Sequence, residues 1–306
     1  MRVSLFGPRR RHWPIAAALT WFAFVSTPAL SAEQVDLELV IATDVSRSVN
    51  TEEALLQREG VAQAFRSAEL IDAIERGALG KIAVAYVDWS TEYINRVVVN
   101  WQVIEDRATA TGFAEALIQA PPTWGQRTSI SSVMILATAL IESNAYEGTR
   151  RVIDISGDGP NNFGRSLAPV REEVIGKGIV INGLPIIVAG AEFAGRGYFP
   201  DVDEYYQSCV IGGFGSFIVV AKGFDDFAAA MRRKLVLEIS ELTPEDPTSG
   251  PVYGRPVLLR AAATPGGSQA LPTLPPDSPL LRPPNAREED CDRWSDGFGV
   301  FDNFRR

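Results

Sequence analysis

Asp44-Val45-Ser46-Arg47-Ser48 places one carboxylate and two hydroxyls on alternate residues of a short segment. Folded into a tight loop, these side chains can converge on one point as hard oxygen ligands. That chemistry suits Mg²⁺, which takes few protein ligands and keeps several waters; the sequence does not choose between it and Mn²⁺ or Ca²⁺. The competing reading is a capping cluster in which Ser48, Asn50 or Thr51 starts the next helix. The preceding segment favours the metal. Leu37 to Thr43 (LELVIAT) is short, apolar and rich in β-branched residues, as a buried strand of a parallel sheet is. The loop thus begins at a strand end, where open α/β sheets bind ligands.

Two further segments offer matching donors. Gly125-Gln126-Arg127-Thr128-Ser129-Ile130 follows a turn at Pro121 and Pro122 and precedes a helical pattern from about Ser131 to Ile141, so Thr128 stands at a loop-to-helix junction. Arg151 to Ser156 (RVIDIS) is a second short strand, followed by Gly157-Asp158-Gly159. Asp44, Ser46, Ser48, Thr128 and Asp158 together make an all-oxygen set of two acids and three hydroxyls. Asp154, inside the second strand, is expected to stay away from the ion.

The order D-x-S-x-S, then G-x-x-T-S, then a strand ending in G-D-G resembles the von Willebrand factor type A (vWA) domain over roughly residues 35 to 242. The resemblance implies a metal-ion-dependent adhesion site in which Ser46, Ser48 and Thr128 ligate the ion, with Asp44 and Asp158 bound directly or through water. It also implies a doubly wound, Rossmann-like α/β fold. A narrower likeness, to secreted bacterial vWA-like proteins of unknown function, rests on VDLELVIATDVSRSVN (35–50), LQREG (56–60), RVIDISGDGPNN (151–162), INGLPI (181–186) and RRKLVLEI (232–239). Gly157 is a departure, since many vWA domains have Thr-Asp-Gly there.

Other chemistries are bounded by absence. The only histidine is His12, in a segment expected to be removed, so the mature chain would lack Ser-His-Asp and Cys-His systems and any histidine-containing zinc site. Arg9 to Arg11, the largely apolar Trp13 to Val25 and the small residues through Ala32 follow the order of a signal peptide, assigned to residues 1–32, with an uncleaved membrane anchor as the alternative. This predicts a periplasmic or secreted protein of a bacterial cell envelope, with no stable membrane span after cleavage. Removal takes four arginines and no acid, so 29 basic residues become 25 against 38 acidic ones, and formal charge moves from −9 to −13. Such a chain repels phosphate backbones and is not expected to bind nucleic acid. Cys209 and Cys291 are the only cysteines; export permits a bridge between them, and two free thiols are the alternative.

The elements that must position the site alternate as βαβ units do. A helix is predicted from Glu52 to Arg66, with Leu55, Ala62 and Phe65 at helical spacing. Strands follow at Lys81 to Trp89 and Tyr93 to Trp101, the latter an antiparallel edge strand after a tight turn. Asp106 caps a helix to Gln119. Beyond Asp158 come a helix (Leu167 to Lys177), a strand (Ile179 to Val188), a short helix (Asp201 to Cys209), a strand (Ser216 to Ala221) and a last helix carrying Phe227, Met231, Leu235 and Ile239. The predicted domain is therefore 33–242: a mostly parallel sheet with one antiparallel edge strand and helices on both faces. Residues 243–306 hold 11 of the 20 prolines and read as a largely disordered tail.

The glycines of 190–197 lack the Lys-Ser/Thr of a P-loop, and Gly212-Gly213-Phe214-Gly215 is not a dinucleotide fingerprint. Trp89, Trp124, Phe163 and Tyr198 border the strand-end loops as candidate ligand-face aromatics. The function expected is capture of a protein partner whose Asp or Glu reaches the cation. The rivals are a metal-dependent phosphate or ester hydrolase, and an accessory subunit of a periplasmic enzyme.

Overall fold

The computed structural model describes residues 32–188, 201–240, 252–254 and Cys291. The signal-peptide stretch, Tyr198, the 190–197 glycine loop and nearly all of 243–306 lie outside them.

The fold is the expected doubly wound α/β arrangement. Strands β1 (Glu33–Asp44), β2 (Ile82–Trp89), β3 (Arg96–Ile104), β4 (Tyr146–Gly157), β5 (Val180–Pro185) and β6 (Phe217–Val219) form one sheet in the order β3-β2-β1-β4-β5-β6. All neighbours are parallel except β3, which pairs antiparallel with β2. A three-residue strand, β7 (Val252–Gly254), pairs antiparallel with β6 at the other edge, from the segment expected to be tail.

Alternation along the central strands splits the core in two. Leu37, Leu39 and Ile41 face one apolar cluster, while Val40 and Ala42 face the other. The first is closed by α1 (Thr51–Arg66), α2 (Ala68–Glu75), α3 (Arg107–Gln119) and α7 (Phe227–Ser240). The second is closed by α4 (Ile130–Glu142), α5 (Leu167–Gly176), α6 (Val202–Tyr205) and the π turn Tyr206–Val210. β1 is buried on both faces because it lies mid-sheet, which is why its sequence is a near-continuous apolar run. Each such Leu or Ile contributes roughly 1.5–3 kcal/mol by leaving water.

Local signals place the helix starts. Asn50 caps α1 in a reciprocal box with Glu53, and Asp106 caps α3 by accepting from the Thr109 amide at 2.8 Å. Helix α2 was not anticipated; Ser67 closes α1 and caps α2 at once. Leu55 does not face the core but is 49% exposed, whereas Ala62 and Phe65 are buried. Among the described residues no helix is long and apolar enough to cross a membrane.

Candidate metal centre

The chain goes from β1 to β2 in one direction across the sheet and places β4 on β1's other side. The carboxyl ends of β1 and β4 therefore flank the crevice where strand order reverses, the ligand position of such sheets. Asp44 is the last residue of β1, and Asp158 follows β4 directly.

Three of the predicted donors join Asp158 through a chain of contacts. The Ser46 amide donates to Asp44 Oδ1 at 2.6 Å, Ser46 Oγ lies 3.2 Å from Ser48 Oγ, and Ser48 Oγ donates to Asp158 Oδ1 at 2.7 Å. Asp44, Ser46 and Thr128 are buried; Ser48 and Asp158 are part-exposed, leaving the group open on one side. Thr128 is brought alongside through its main chain. Its amide donates to Asn162 Oδ1 at 3.0 Å, and its carbonyl accepts from the Asn162 amide at 2.8 Å. That loop is tied to the Asp44 loop as well, because the Gly125 amide donates to the Val45 carbonyl at 2.7 Å. Ser90, at the end of β2, fastens its middle: Ser90 Oγ donates to the Arg127 carbonyl, and the Ser90 carbonyl accepts from the Ser129 amide at 2.7 Å.

The electrostatics of this cluster ask for a cation. Asp44 Oδ2 is buried with no hydrogen-bond partner. Burial, and next the nearby Asp158 carboxylate, push the Asp44 carboxyl well above its ordinary range, against the pull of the Ser46 hydrogen bonds. A buried, unpartnered carboxylate oxygen facing a second acid is costly unless a positive charge lies between them. Hard oxygen donors from two acids and three hydroxyls fit Mg²⁺, Mn²⁺ or Ca²⁺. With only two acids the cluster lacks the usual acid-dense signature, and no group of three or more His, Cys, Asp or Glu side chains poised for metal occurs among the described residues.

Asp154 lies apart, its side chain against Lys234 of α7. Of the candidate aromatics, Trp89 is wholly buried, while Trp124 and Phe163 are 58% and 36% exposed. Trp124 Nε1 donates to Thr51 Oγ1 at 3.0 Å, and the Arg127 guanidinium sits 5.9 Å from the Phe163 ring centre.

Further supporting residues escaped the sequence reading. Gln57 of α1 donates to the Asp44 carbonyl at 2.9 Å. Asn161 and Asn162 splint the Asp158 loop to α4 and Thr128; their signal was the Asn pair closing RVIDISGDGPNN. Tyr206 had no signal. Its hydroxyl is buried and unpartnered, and it borders the space beside Gly157: a Cβ there would lie 2.7 Å from Tyr206 Oη and 3.0 Å from Asp44 Oδ2. The departure at Gly157 is thus matched by an aromatic hydroxyl filling the place of a side chain. Burial, then Asp44 and Asp158, push the Tyr206 phenol well up, so it stays protonated.

The Cys209–Cys291 bridge is present, with Cα atoms 5.6 Å apart and both residues buried.

Solved structures with similar folds include proximal thread matrix protein 1 from the mussel byssus (13% identity, TM-score 0.49, covering 69% of this chain and 49% of that one). Others are the pilus adhesin SpaC from Lactobacillus rhamnosus GG in its open conformation (12%, TM-score 0.49, 68% and 31%) and a von Willebrand factor type A protein from Catenulispora acidiphila (15%, TM-score 0.45, 67% and 43%). The chain spans about half the length of the mussel protein and less of the other two. No curated protein matches it in sequence. A family match covers residues 34–243, which include every donor of the centre, and on that match the chain belongs to the family described as Protein of unknown function (DUF1194).

Proposed function

We propose that this protein captures a protein partner through a divalent cation held by Asp44, Ser46, Ser48, Thr128 and Asp158. The observation that carries the reading is the buried, partnerless Asp44 Oδ2 set against a second carboxylate at the switch point of the sheet. Mg²⁺ is the ion proposed. A partner's Asp or Glu would complete its coordination on the open side, where Ser48 and Asp158 are part-exposed.

The surroundings suit an acidic ligand. Arg47 and Arg127 are exposed and stand beside Ser46, Ser48 and Thr128 in the chain. Trp124, on the Thr128 loop, and Phe163, after Asp158, add apolar surface. Binding, rather than catalysis, is favoured because residues 33–306 contain no histidine to activate a hydroxyl. The N-terminal segment supports an envelope location, periplasmic or secreted.

The test is capture from an envelope extract by the immobilised protein, with Mg²⁺ and with chelator, and with Asp44→Ala as control. Partners retained only with metal and only by the unaltered site support the reading. Identical retention in all arms overturns it, and turnover of phosphate or ester substrates abolished by Asp44→Ala would replace it with the hydrolase.

A further inference from the structure

Three of the segments that carry the narrower likeness, RVIDISGDGPNN, INGLPI and RRKLVLEI, contain polar residues the cation site does not use. They meet in the core. Asp154 of β4, Asn182 of β5, and Lys234 and Glu238, one turn apart in α7, are each at most 3% exposed. Lys234 Nζ contacts Asp154 Oδ1, lies 3.2 Å from Glu238 Oε2 and sits 5.2 Å from the Phe217 ring centre. The Asn182 side-chain amide donates to both Glu238 oxygens at 2.8 and 2.9 Å, and its oxygen accepts from the Phe217 amide at 2.8 Å, which fixes the Glu238 carboxylate in place. Asp154 Oδ2 has no hydrogen-bond partner.

As an ion cluster this is expensive. One ammonium and two carboxylates are withdrawn from water, at several kcal/mol for each ion, and one carboxylate oxygen is left unpaired. As reagents the same groups are well chosen. An amine, a carboxyl group and a second carboxylate are buried in contact, which supplies nucleophile, electrophile and proton carrier in one place.

We infer that Lys234 and Asp154 condense into an intramolecular amide, an isopeptide cross-link between α7 and β4, with Glu238 carrying the proton. The Lys234 ammonium passes a proton to Asp154, and the amine so formed adds to Cγ of the protonated carboxyl, forming the N–C bond. Glu238 accepts a proton from that nitrogen and delivers it to the departing hydroxyl; the Cγ–O bond breaks and one water leaves. The ion pair and the amide carry the same net charge, so nothing beyond water enters or leaves. Burial, and next Glu238, push the Asp154 carboxyl up to about 8, which favours its taking that proton, as this step requires. The product replaces two buried charges by an amide and ties residues 80 positions apart in sequence.

The test is the intact mass of the full chain recovered from the envelope, reduced and denatured, compared with the mass of its processed sequence. The expected result is a deficit of one water. Trypsin should yield peptide 152–165 joined to 234–260, uncut at Lys234, with Asp154 as the linked residue. A mass equal to the sequence overturns the inference, as does a deficit of one ammonia with Lys234 joined to Asn182. Glu238→Gln should restore the full mass in protein that keeps its circular dichroism; a cross-link persisting in that variant removes Glu238 from the reaction. Should the variant not fold, the mass of the unaltered chain still decides.

Discussion

The Tyr206 hydroxyl stands 2.7 Å from where a side chain at Gly157 would begin, and Asp44 Oδ2 stands 3.0 Å from the same point. The glycine therefore leaves room for a phenol that reaches the cation site from the π turn. Gly157→Ala should displace Tyr206 or Asp44 and weaken metal binding by about tenfold, the equivalent of roughly 1.4 kcal/mol. Tyr206→Phe should restore part of the loss, because the pair are in contact and their effects are not additive. Isothermal titration of the single and double variants checks this; strictly additive losses would show that the two positions do not share the space.

Metal should raise the melting temperature in proportion to its affinity. Ion at a hundred times its dissociation constant stabilises the fold by about 2.7 kcal/mol, and chelator abolishes the gain. Asp44→Ala and Asp158→Ala should remove most of the shift, and Ser46→Ala, Ser48→Ala and Thr128→Ala should each blunt it, since a hydroxyl supplies an oxygen without charge. Asp154→Ala should leave metal affinity unchanged by calorimetry, even though its loss weakens the core. Equal affinity in wild type and the Asp44→Ala, Asp158→Ala double variant would refute the site.

In chelator, stability should depend on pH through Asp44. Its folded-state pKa is raised above 3.8, so the native state holds the proton more tightly than the unfolded chain does. That stabilisation is complete below the unfolded value and is lost as pH rises through the folded one. Metal-free wild type should thus lose stability from about pH 4 upward relative to Asp44→Asn, and saturating metal should flatten the difference. Urea midpoints across this range decide the matter; parallel curves for the two proteins would show that Asp44 does not carry the effect.

Arg58 and Asp88 form a buried ion pair that also supports the site. Arg58 donates to the carbonyls of Ala120 and Pro121, at 2.6 and 3.1 Å, in the turn leading to the Thr128 loop. Asp88→Ala leaves the guanidinium buried without its counter-charge and should cost about 3–5 kcal/mol. Metal affinity should fall with it, because the Pro121 turn loses its anchor. Denaturant unfolding and titration measure the two effects, and an unaffected metal affinity would separate the ion pair from the loop.

Cys209 follows Tyr206 by three residues in the π turn, so its bridge to Cys291 holds the segment that carries the phenol. Cys209→Ser with Cys291→Ser should lower stability by about 2–5 kcal/mol. Unreduced, denatured protein should show no alkylatable thiol. Two reactive thiols in material from an oxidising compartment would contradict the bridge.

The strand-end donors were legible in the sequence because a strand's burial and a loop's side chains are local properties. LELVIAT announces a strand covered on both faces, so Asp44 had to emerge at its end, and the same logic located Asp158 after RVIDIS. The edge strand, the last helix and the Asp106 cap followed from period and capping chemistry in the same way. What required the folded chain were relationships across the sheet. No spacing indicates that Tyr206 reaches Gly157, that Asn162 holds Thr128, or that Ser90 fastens the loop between them. Nothing in the spacing of Asp154, Lys234 and Glu238 along the chain indicates that they meet. Only the pairing of β4 with β5, and the laying of α7 across them, buries these charges together, because the cost of a buried charge depends on its neighbours in space.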